Sequence, residues 1–162
     1  MGLSNLGIFH TVVGLAAIAG ALTGFARYGK INLGALSGKV YIYATIITSV
    51  SALGISKHGG LNAGHAFSVF IIILVAVSYF LYSKRGSSVR ARYFENFLLS
   101  FSFFLSLVPT VNETFTRVPV GSPLAKDITD PVIGNTLLVL FILFIVGSIY
   151  QFSKYRRSNK HV

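Results

Sequence analysis

The 162-residue chain has no cysteine and no tryptophan, one methionine and only four acidic residues. Without cysteine there is no disulfide, no thiolate metal centre and no cysteine nucleophile. Without tryptophan, anchoring at a membrane–water boundary falls to the eight tyrosines. The shortage of charge excludes most. Charged residues are 11% of the chain, against about 25% in a soluble domain, so a water-soluble fold would lack the polar surface it needs. The signatures of soluble enzymes are missing too. There is no phosphate-binding glycine loop, nucleophile elbow, H-E-x-x-H pair or Cys/His metal run.

What the chain has is apolar length. Hydrophobic residues reach 53% and the mean hydropathy is +0.71. A hydrocarbon core about 30 Å thick takes roughly 20 helical residues to cross. Five segments meet that need, at 6–26, 40–56, 61–83, 93–111 and 132–152. Their interiors hold no Asp, Glu, Lys, Arg or His. The expected architecture is one all-α transmembrane domain over residues 1–162, a five-helix bundle with a loop at 112–131 and a basic tail at 153–162.

The net charge of +10 would point to nucleic acid in a soluble protein. Here the cations lie in the gaps between apolar runs, and no nucleic-acid partner is needed. Arg27, Lys30 and Lys39 fill the first gap, Lys84, Arg85, Arg90 and Arg92 the third, and Lys154, Arg156, Arg157 and Lys160 the tail. Only Lys57, Arg117 and Lys126 fall on the other side. Lys and Arg are retained in the cytoplasm, so the amino terminus is expected outside and the carboxyl terminus inside, in a bacterial plasma membrane. A signal peptide needs a basic stretch before its apolar run. The first basic residue is Arg27, after the run, so cleavage is not expected.

Lipid gives helices no hydrophobic reason to associate, and small residues mark where they meet. Ala16, Gly20 and Gly24 recur every fourth residue, as do Ala44, Thr48 and Ala52. Ser102 and Ser106 continue the pattern in the fourth segment, and Pro109 is placed to kink its end. The fifth segment is aliphatic on all faces and is expected to border lipid or a partner.

Candidate chemistry rests on His10, His58 and His65, all on the expected outer side. His10 and His65 each lie four residues inside a helix start, about 6 Å below its end. At matching depth on neighbouring helices they could ligate one b-type haem iron, with Gly14, one turn below His10, leaving room for the macrocycle. The metal alternative joins His58 and His65 to Glu113, Asp127 or Asp130, a nitrogen and oxygen set that zinc or copper accepts. The plain alternative is that these imidazoles only hydrogen-bond water, backbone or headgroups. The pair Gly59-Gly60 is expected to turn the chain between helices two and three. Glu95, three residues after Arg92, is spaced for an intrahelical ion pair. Coupled transport normally places ionisable groups at mid-membrane, and this chain has none there.

The stretch His10…Gly14…Gly20, then Tyr28-Gly29-Lys30, then Gly38-Lys39-Val40-Tyr41 resembles a bacterial family of multi-pass membrane proteins of unknown function. The likeness covers about residues 6–93. The chain departs from the pattern at 33–36, where a histidine is expected, and at Arg90-Ala91-Arg92-Tyr93, which replaces a His-Arg type. His10, Gly38, Lys39 and Tyr41 carry over. The resemblance implies a helical bundle and supplies no activity.

Three functional expectations follow. One is an outer-face site for haem or another redox cofactor at His10 and His65. Another is a non-catalytic membrane subunit or assembly factor. It would associate with a second copy or another membrane protein through the Gly20/Gly24 face and the fifth helix. The third is a small-solute carrier relying on the hydroxyls of helices two and four.

Overall fold

The computed structural model describes residues 4–55, 63–86 and 88–158. It holds five helices in order, α1 (Asn5–Tyr28), α2 (Leu36–Leu53), α3 (Ala63–Lys84), α4 (Val89–Phe115) and α5 (Pro131–Ser158). No strand occurs among the described residues. All five helices are long and apolar enough to cross a membrane. The chain is an all-α integral membrane protein, in contact with the lipid bilayer.

Helix ends follow from local chemistry. Ser4 caps α1, its Oγ accepting the Gly7 N–H at 3.1 Å. Gly29 closes α1 at φ 69, the left-handed conformation that glycine adopts without cost, and donates its N–H to Phe25. The chain then folds on Asn32, whose side chain accepts the Gly34 N–H at 3.1 Å and whose carbonyl accepts that of Ala35 at 3.0 Å. This turn starts α2 at Leu36, a full turn earlier than hydropathy placed it, because the winding is set by Asn32 and not by apolar content. The Gly59-Gly60 turn lies outside the described residues.

The chain forms two compact units, Met1–Ser100 and Phe101–Val162. In the first, α2 packs against both α1 and α3. The contact with α1 is backbone to backbone. A Cβ added at Gly20 would stand 2.8 Å from the Ser37 carbonyl oxygen and 3.0 Å from the Tyr41 nitrogen. At Gly24 it would stand 3.0 Å from the Lys30 oxygen, and at Gly38 it would overlap the Asn32 carbonyl. Gly20 and Gly24 themselves are thus in contact with the chain's own α2 and its leading turn. Tyr41, Val75 and Leu99 are fully buried in this unit.

In the second unit, Val111, Ala125 and Ile133 form a small core with Phe115, Leu137 and Leu140. Phe104 lies 5.6 Å, centroid to centroid, from both Phe141 and Phe144. Helix α4 runs through Pro109 to Phe115, so the expected loop start at 112 is helical. Hydroxyls of Ser106, Thr110 and Thr116 donate to carbonyls four residues back, at Ser102, Ser106 and Asn112. The remaining connection is mostly exposed and is anchored at one point. Ala125, 1% exposed, donates its N–H to Phe115 at 2.9 Å. Asp130 caps α5 by accepting the Val132 N–H at 3.1 Å, and its other oxygen accepts that of Lys126.

Two glycine substitutions should part company. A Cβ at Gly14 meets only Thr48 Cγ2, at an ordinary 3.5 Å. Gly14→Ala is therefore expected to hold or raise the thermal midpoint in detergent, as alanine gains about 0.5–1 kcal/mol in a helix. Gly38→Ala should lower it, on the overpacking scale of about 1–3 kcal/mol. Equal midpoints for the two variants would contradict the backbone contact.

Candidate functional site

Two polar clusters occur in the first unit, one at each end of α2. At its carboxyl end, the half-buried His10 of α1 places Nδ1 3.1 Å from the Thr48 carbonyl and 3.1 Å from Ser51 Oγ. Ser51 gives its own proton to the Thr48 carbonyl at 2.8 Å. Both atoms facing Nδ1 are therefore acceptors. Nδ1 carries the hydrogen, and in the neutral ring Nε2 keeps the lone pair. From α3, the buried His65 donates Nε2–H to the Leu53 carbonyl at 3.1 Å. Leu53 is the last residue of α2, and terminal carbonyls have no partner within their own helix.

The two histidines thus converge on one end of α2, each through a bond to its backbone. Helix α2 is the shared neighbour of the two helices that carry them. The ring nitrogen of His65 that most often binds haem iron is engaged with Leu53. Gly14 faces Thr48, whose methyl group fills the space its missing side chain opens. The Thr48 hydroxyl, buried beside it, has no hydrogen-bond partner.

The members of the alternative metal set have local roles. Glu113 lies in the last turn of α4, paired with Arg117 at 2.6 Å on an exposed surface. Asp127 accepts the N–H of Thr129 at 2.7 Å and its hydroxyl at 2.5 Å. The hydroxyl first, then the amide, hold its carboxyl below the usual range. Asp130 is the α5 cap. His65 belongs to the first unit, Glu113 and Asp127 to the second, and His58 lies outside the described residues. Among the described residues no three His, Cys, Asp or Glu stand together as a metal-binding group.

At the amino end of α2, a buried carboxylate organises the second cluster. Glu95 is 1% exposed, and its Oε2 accepts from Arg85 Nη1 at 2.6 Å. The Arg85 guanidinium also lies 4.4 Å from the centre of the Tyr82 ring. Lys30 and Arg92 add positive potential. The partner is Arg85, from the α3–α4 connection, and not Arg92. An (i, i+3) pair stays on the helix surface, whereas Glu95 turns inward. Arg92 instead reaches the Gly86 carbonyl at 3.4 Å. The Tyr82 hydroxyl lies against Gly34, which brings the first and third connections to the same end of this unit. Arg85 was legible in one respect, since Glu95 is the only acid among the seven cations of those two connections.

Comparison with protein-family models, curated proteins and solved structures finds no match for the chain.

The buried pair makes a quantitative prediction. Glu95→Gln leaves a partly buried guanidinium unpaired, a change that costs about 3–5 kcal/mol when both charges are dry. With a quarter of the Arg85 side chain exposed, the loss should fall at the lower end of that range. The double variant Glu95→Gln with Arg85→Gln should cost less than the sum of the singles. Additive losses of thermal stability in detergent would show that the two groups do not act as a pair.

Proposed function

We propose that this protein is a non-catalytic membrane subunit that works by helix–helix association, presenting α5 to a partner. The observation that carries the reading is that α5 buries one narrow stripe and leaves the rest of its apolar surface exposed. Ile133, Leu137, Leu140, Phe144 and Gln151 follow one another at three-, four- and seven-residue steps and are buried or half-buried. Opposite them, Leu138, Ile142, Ile145 and Ile149 repeat at the same short steps and are at least 40% exposed. The stripe holds no small residue, so a helix seated on it would be held by van der Waals interlocking of aliphatic side chains, as in left-handed membrane bundles. Gly20 and Gly24, the other expected association surface, are in contact within the chain. Of the hydroxyls a solute pathway would use, Ser106 and Thr110 in α4 close onto the helix backbone, while Thr45 and Thr48 in α2 are buried.

In this reading the amino terminus is outside and the carboxyl terminus cytoplasmic, in a bacterial plasma membrane. The charge distribution supports that orientation. Because the chain has no cysteine, a photo-crosslinker can be attached at a single introduced cysteine. A photo-crosslinker at Ile142 or Ile145 should give a discrete adduct in native membranes, and the same group at exposed Leu15 of α1 should not. No adduct at any of the four α5 positions would overturn the reading. A reporter fused after Val162 should read cytoplasmic, and an outside signal would reverse the orientation.

A second reading, a redox-cofactor site, draws support from His10 alone. An imidazole whose Nδ1–H is tied to a backbone carbonyl has Nε2 oriented as a ligand, the arrangement typical of metal-binding histidines. Association predicts a colourless protein, still without a Soret band after haem supplementation. A Soret band lost in His10→Ala would establish the cofactor reading in its place.

A further inference from the structure

Between α1 and the first turns of α2 lies an open groove of about 400 Å³. Ala16, Ala19, Gly20 and Thr23 line its α1 side, and Arg27 and Ser37 stand at its end. The small α1 residues leave the groove open. Thr23 turns its hydroxyl back to the Ala19 carbonyl at 2.7 Å, so its methyl group is left for the groove. At the other end the chemistry changes. Arg27 is exposed, in the last turn of α1, and makes no ion pair or hydrogen bond among the described residues. The Ser37 hydroxyl is buried and has no partner.

The dimensions select the occupant. From Ala16 to Arg27 is eleven residues, about 16 Å of helix rise, roughly half of a hydrocarbon core about 30 Å thick. A partner helix crossing here would set apolar side chains beside Arg27, whereas a lipid brings a headgroup of opposite charge to it. A chain reaching from the boundary to the midplane is the acyl tail of a lipid in one leaflet. A cation at the boundary, with Lys30 in the turn beyond, complements an anionic headgroup, as basic pockets at membrane boundaries do. We propose that this groove binds one anionic phospholipid, its acyl chain along Ala16–Thr23 and its phosphate at Arg27.

The test uses the full chain, reconstituted in vesicles of phosphatidylcholine with a minor fraction of phosphatidylglycerol, then extracted in mild detergent for native mass spectrometry. Phosphatidylglycerol should be retained in preference to phosphatidylcholine. Arg27→Gln should reduce that preference about tenfold, the worth of one charge-assisted hydrogen bond at roughly 1.4 kcal/mol. Ala19→Phe, an exposed position that fills the groove, should reduce retention of both lipids while the thermal midpoint holds. Arg90→Gln, exposed and away from the groove, should change neither. Unchanged preference in Arg27→Gln would overturn the proposal, as would an equal loss in Arg90→Gln, the mark of diffuse surface charge. A dimer that Ala19→Phe dissociates would overturn it as well, by giving the groove to a second copy.

Discussion

Helix α1 approaches the start of α2 so closely that peptide groups meet where side chains would normally stand. Gly20, Gly24 and Gly38 make this possible, and much else in the first unit depends on it. With the Asn32 carbonyl seated against Gly38, the turn at 29–35 has little freedom, and the register of α2 along α1 is fixed. That register brings Thr48 opposite Gly14 and the carboxyl end of α2 beside His10. Lipid supplies no drive for apolar surfaces to meet, so close packing of this kind does the work that hydrophobic burial does in water.

The two ends of α2 then present opposite electrical problems. Its last turn carries no basic residue, although the carbonyl end of a helix attracts positive charge or hydrogen-bond donors. Imidazoles from the helices on either side provide donors there. At the other end, cations of two connections crowd together around one carboxylate. Glu95 offsets part of their mutual repulsion and joins the start of α4 to the end of α3 through Arg85. Neither cluster is a mid-membrane charge, and both sit where a helix meets its connection.

Much of this was legible in the sequence. The five helices follow from apolar length, which is a one-dimensional property, and the small-residue spacing of α1 pointed to a packing face. Which partner that face would meet was not legible, because a Gly-x-x-x-Gly stretch suits an internal helix as well as a separate chain. His10 and His65 were singled out as candidate ligands, and each is bonded to the α2 backbone. Their targets were hidden, since Thr48 and Leu53 contribute backbone carbonyls and any residue type would have served. Glu95 illustrates the same limit. Spacing named Arg92, while inward rotation of the carboxylate gave the bond to Arg85. Pro109 reads as a kink near the outer end of the fourth helix, and α4 continues through it to Phe115.

The position of α2 also bears on how the protein is made. It is the shortest of the five helices and shares with none the long aliphatic runs of α3 and α5. Thr45 and Ser49 on it are buried against protein, so alone in lipid it would expose hydroxyls that the folded unit covers. A segment of this kind partitions poorly by itself, whereas α1, emerging before it, is longer and more apolar. The glycine contact therefore gives the nascent chain a reason to enter the bilayer as a hairpin, α1 holding α2 until α3 arrives to close its other side.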